Sequence, residues 1–64
     1  MTRSTAREIA MHLAYQLSFT ELPVEEFLDQ QLSAERFAEL AAEDELYADM
    51  PNAKQEEYIR RLVS

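Results

Sequence analysis

The sequence predicts an all-α protein, a small bundle of three to four amphipathic helices. Three observations carry this. There is no glycine among the 64 residues, and tight β-hairpins depend on residues that reach positive φ. The β-branched residues never form the alternating run of a half-buried strand. Apolar residues instead recur at three- and four-residue spacings, the period of one helical face.

The first helix is expected from about Ser4 to Phe19. Thr5-Ala6-Arg7-Glu8 fits a capping box, in which a hydroxyl and a glutamate satisfy otherwise orphaned amides. Ser4 is an equally good cap. Ala6, Ile9, Ala10, Leu13 and Leu17 form the inward stripe. Arg3, Arg7 and Tyr15 lie outside it, on neighbouring exposed parts of the helix. Tyr15 borders the stripe, so its ring can be half-buried with the hydroxyl outward.

Thr20-Glu21-Leu22-Pro23 breaks the pattern, and proline suits the first turn of the next helix. That second helix is expected over Pro23 to Leu32, with Val24, Phe27, Leu28 and Leu32 inward. Ser33 can cap a third helix from about Ala34 to Leu46, with Phe37, Leu40 and Ala41 inward. The pattern leaves open whether these two helices are separate or one helix kinked at Ser33. Asp49-Met50-Pro51-Asn52 is the next break, because Met50 precedes proline and is biased away from helix. A last helix starts near Asn52, with Tyr58, Ile59, Leu62 and Val63 as its apolar set. Phe27, Phe37, Tyr47 and Tyr58 sit at helical spacings and read as core or interface residues.

Residues 1–64 therefore form one helical unit. The helical pattern is still running at Ser64 with no terminating residue. This reads as the N-terminal part of a longer protein, or as a helix completed against a partner. A chain cut there exposes Leu62, Val63 and inward helix faces, which favours a homo-oligomer.

Composition excludes several classes. Without cysteine there is no disulfide framework and no thiolate zinc site. Without glycine there is no glycine-rich phosphate loop. No apolar run approaches the roughly 20 residues of a membrane span. Nor does the N-terminus have a signal-peptide pattern, so no membrane partner is expected and the cytoplasm is the default compartment. At 47% hydrophobic the chain can form a core, which argues against disorder.

Charge is uneven. The net charge is −7, and residues 21–49 carry ten acidic side chains against Arg36 alone. That middle repels nucleic acid at long range. It reads either as a solvated face or as a docking surface for a basic partner.

Nothing points to an enzyme. The single histidine, His12, follows Glu8 by four residues, the spacing of a surface pair on a helix. No second histidine or convergent carboxylate set accompanies it, so no catalytic residues, metal ligands or cofactors are assigned. Arg3 and Arg7 near a helix start suit phosphate contact. Tyr15 can stack on an unpaired base.

The run Ala6-Arg7-Glu8-Ile9-Ala10-Met11-His12-Leu13-Ala14-Tyr15-Gln16-Leu17, preceded by Arg3, resembles the first helix of the bacterial transcription antitermination factor NusB family. Tyr58-Ile59-Arg60-Arg61-Leu62-Val63-Ser64 resembles its third-helix segment more loosely. The resemblance implies the N-terminal half of an all-helical fold built from two packed halves. It implies binding of single-stranded boxA-like RNA with a small-subunit ribosomal protein as partner, in antitermination of ribosomal RNA transcription. Some members of the family form homodimers. Matched residue by residue, Arg3, Arg7 and Tyr15 are the implied RNA contacts. The alternative is a helical protein–protein interaction module that never touches RNA.

Overall fold

Thr2 begins the fold. In the computed structural model, which describes residues 1–64, its hydroxyl accepts the Thr5 amide at 3.1 Å and donates to the Thr5 hydroxyl. Helix α1 therefore spans Arg3–Leu17. The expected Thr5–Glu8 box does not form, because the Thr2 side chain already caps the Thr5 amide. The helix also stops short of Phe19. Its last amides switch to i−3 carbonyls, with Phe19 bonding to Gln16, which tightens the end into a turn.

Helix α2 (Val24–Gln31) starts directly after Pro23 without a side-chain cap. Glu25 and Glu26 in its first turn offset the helix dipole instead. Ser33 accepts the Arg36 amide at 3.2 Å and opens α3 (Ala34–Ala41), so α2 and α3 are two helices. The third helix ends five residues before the expected Leu46. Asp44 is extended (φ −147°), and its carboxylate accepts the Leu46 amide at 3.0 Å. That bond starts a short 3₁₀ turn over Glu45–Tyr47. Helix α4 (Ala53–Val63) opens with a reciprocal box: the Gln55 amide donates to Asn52 Oδ1, and the Asn52 amide donates to Gln55 Oε1, each at 2.9 Å.

The molecule is an all-α bundle without strands, organised around α1. Ala6, Ile9, Ala10 and Leu13 of α1 are buried against Phe27, Leu28 and Leu32, Phe37, Tyr47 and Ile59. The largest interface is that between α1 and α4. Two alanines on α1 allow the close approach, and Ile59 fills the seam with no exposed surface. Burying a side chain of this size contributes about 1.5–3 kcal/mol. Phe37 and Tyr47 meet edge to face at 5.4 Å, which fixes the 3₁₀ turn to α3.

Helices α1 and α4 run in the same direction. Met1 lies at Gln55, Arg3 at Tyr58, and Arg7 and Met11 at Leu62. Both helix starts therefore share one end of the molecule. Arg60 clamps the flank of α4 to α2 by Glu25 (3.4 Å) and Asp29 (2.9 Å), and it also pairs with Glu56 (3.2 Å). The Asp29 carboxylate raises the affinity of the guanidinium for its proton, burial opposes it, and Glu56 adds to the rise. No helix is long and apolar enough to cross a membrane.

Candidate nucleic-acid interface

The seam between α1 and α4 opens into two shallow grooves. One, of about 210 Å³, is lined by Arg3, Ala6, Lys54, Gln55 and Tyr58. The other, of about 270 Å³, is lined by Arg7, Ala10, Met11 and Leu62. None of these residues is acidic. The helical pitch explains the arrangement: Arg3 and Arg7 are one turn apart on the flank of α1, and Lys54 and Tyr58 are one turn apart on α4.

The basic side chains divide into two groups. Arg36 pairs with Glu39, Arg60 with three carboxylates, and Arg61 with Glu57. Arg3, Arg7 and Lys54 form no ion pair, and all three line the seam grooves. The acidic residues of the middle segment sit instead on α2, α3 and the loops that flank them. The uncompensated positive charge of a −7 chain is thus gathered along one seam.

Arg3 has a defined place within it. Its guanidinium carbon lies 4.2 Å from the centroid of the half-buried Tyr58 ring. A cation over an aromatic face is attracted by the ring quadrupole, by about 0.5–1 kcal/mol at an exposed site. Gln55 holds the chain ahead of Arg3, because its side-chain amide donates to the Met1 carbonyl.

Tyr15 is placed differently. It follows Leu13 by two residues and so points to nearly the opposite side of α1. Its side chain is 69% exposed, more than a residue bordering the core stripe was expected to be, and it packs edge to face with Phe19 at 5.1 Å. Along the helix axis it stands about 12 Å beyond Arg7 and about 18 Å beyond Arg3. The fold brings Arg3 and Arg7 to one seam and sets Tyr15 at the far end of the same helix.

The expected Glu8–His12 pair is absent. His12 Nδ1 instead lies 3.3 Å from the Tyr47 hydroxyl. Burial, and after it the nearby Asp44 carboxylate, raises the pKa of that phenol, while Arg36 opposes them. Lys54 and Tyr58 were not singled out as site residues by their local pattern. Their signal was the four-residue spacing of a cation and a ring on the last helix, which means little until that helix is docked beside Arg3.

Comparisons with known protein families, curated proteins and solved structures find no match to this chain.

Proposed function

We propose that the protein binds single-stranded RNA of the boxA kind through the α1 side of the α1–α4 seam and acts as a NusB-like transcription antitermination factor, by binding and not by catalysis. The supporting observation is the gathering of the unpaired cations Arg3, Arg7 and Lys54 along that seam. Guanidinium groups suit phosphate oxygens and base edges. The exposed Tyr15 ring is the stacking platform further along the strand. About 18 Å from Arg3 to Tyr15 along the helix is a span that a few extended nucleotides cover. A small-subunit ribosomal protein is the partner of the family that the sequence resembles, and it belongs to this proposal.

The test is fluorescence anisotropy of a short labelled boxA-like RNA over a salt series. With two or three phosphate contacts, log affinity falls with log salt with a slope of about −1.4 to −2 on a single strand. Arg7→Ala weakens binding and flattens the slope. An Arg3→Ala/Arg7→Ala protein that binds RNA as well as the parent would falsify the site.

A second reading rests on a different surface. Met11, Tyr15 and Phe19 form an i, i+4, i+8 ridge that is 63%, 69% and 75% exposed. A protein–protein module would use that ridge. It predicts no RNA binding and a loss of partner binding on Tyr15→Ser and Phe19→Ser.

A further inference from the structure

The groove of Arg3, Lys54 and Tyr58 contains more than a loose positive charge. Two cations line about 210 Å³ of open space with no carboxylate among the lining residues. Yet the chain has thirteen acidic residues, and of its other four cations Arg36, Arg60 and Arg61 have each found one, which leaves only Arg7 of the second groove unpaired. The first turns of α1 and α4 flank the same space, since Met1 is tied to Gln55. The positive ends of their dipoles therefore lie at the same end of the molecule as the groove. One cation also has a fixed neighbour, with the Arg3 guanidinium carbon over the Tyr58 ring.

We propose that Arg3 and Lys54 form a two-cation subsite for one backbone phosphate of a bound RNA strand, and that Tyr58 is the positioning residue that holds Arg3 in it. The inference rests on the RNA-binding reading above and extends the contact surface from α1 to α4. Lys54 supplies a point charge from the first turn of α4. Arg3 supplies a planar donor edge whose orientation is set by the ring beneath it. A guanidinium already held over a ring loses less freedom when the phosphate arrives. Only the Tyr58 ring face is needed for this, so its hydroxyl is dispensable.

The experiment uses the whole 64-residue chain, labelled with ¹⁵N. Inorganic pyrophosphate is titrated first, and RNA affinity is then measured for Lys54→Gln, Tyr58→Phe, Tyr58→Leu, Arg3→Ala and the Arg3→Ala/Tyr58→Leu pair. Thermal melts verify that each variant is folded. Pyrophosphate is expected to shift the amide signals of Arg3, Lys54 and Tyr58. Lys54→Gln lowers RNA affinity about three- to tenfold at low salt and flattens the salt slope by about 0.7, the value of one contact on a single strand. Tyr58→Phe binds like the parent. Tyr58→Leu weakens binding toward the level of Arg3→Ala and adds nothing when Arg3 is already alanine, the non-additivity of residues acting as one unit.

RNA binding that survives Lys54→Gln with an unchanged slope overturns the subsite and leaves the RNA reading standing. Additive effects of Arg3→Ala and Tyr58→Leu overturn the positioning role. Shifts with pyrophosphate but no binding of RNA keep a phosphate subsite and overturn its assignment to a strand. No response to either probe overturns both.

Discussion

His12 Nδ1 on α1 and the Tyr47 hydroxyl in the 3₁₀ turn lie 3.3 Å apart, across thirty-five residues of sequence. This contact joins the buried ring of Tyr47, and with it the 3₁₀ turn, to an exposed side chain of the central helix. Tyr47→Phe keeps the edge-to-face contact with Phe37 and removes the hydroxyl. It is expected to cost about 1 kcal/mol, the net value of one ordinary hydrogen bond, read as a lower urea midpoint. An unchanged midpoint would show that the contact adds nothing to stability.

The same phenol sets an alkaline limit. Its pKa is raised in the folded chain, first by burial and then by Asp44. The folded state therefore holds the proton more tightly than the unfolded state. That stability is fully present below about pH 10 and is lost as pH rises through the folded value. Melts recorded from pH 8 to 11 should fall more steeply for the parent than for Tyr47→Phe. Parallel curves would remove Tyr47 from the explanation.

Arg60 is the only link between α4 and α2 made of charges. Its partners are largely exposed, so Arg60→Met is expected to cost only about 1 kcal/mol. The loss should shrink between 0.05 M and 1 M salt, because the screening length falls to about 3 Å at 1 M. A cost independent of salt would assign the effect to the packed stem of the side chain.

Leu28 is fully buried between α2 and the central helix. Leu28→Ala is expected to cost about 2–5 kcal/mol from lost transfer energy and the remaining cavity. A domain of this size has little reserve, so circular dichroism should show most of the population unfolded at 37 °C. A cooperative melt near that of the parent would mean that the surrounding side chains collapse into the gap.

Tyr15 is the opposite case. Because its ring is exposed and its neighbour is Phe19, Tyr15→Ser should change stability by no more than about 0.5 kcal/mol. It should weaken RNA binding by about 1–3 kcal/mol if a base stacks there. Intact RNA binding in this variant would confine the strand to the Arg3 end of the helix.

Much of the fold was legible from spacing alone. The stripe Ala6, Ile9, Ala10 and Leu13 is buried as its period requires, and Leu17 lies half-buried at its end. Ser33 and Pro51 mark true breaks. Local competition between caps was harder to read. Thr2, Ser4 and Thr5 all carry hydroxyls, and Asp44 stops a helix that the hydrophobic pattern would have continued. The Arg3–Tyr58 and His12–Tyr47 contacts were out of reach for a different reason. Each joins residues far apart in sequence, so it exists only once helix packing has been decided.

The unpaired cations of the α1–α4 seam and the carboxylates concentrated on α2, α3 and the loops beside them leave the charge of the protein unevenly spread over its surface. A polyanion exerts a torque on such a body before it exerts a net pull. From afar it meets repulsion, and within about a screening length it meets one attractive face. Under the proposed RNA reading, wrong orientations would be discarded during the approach.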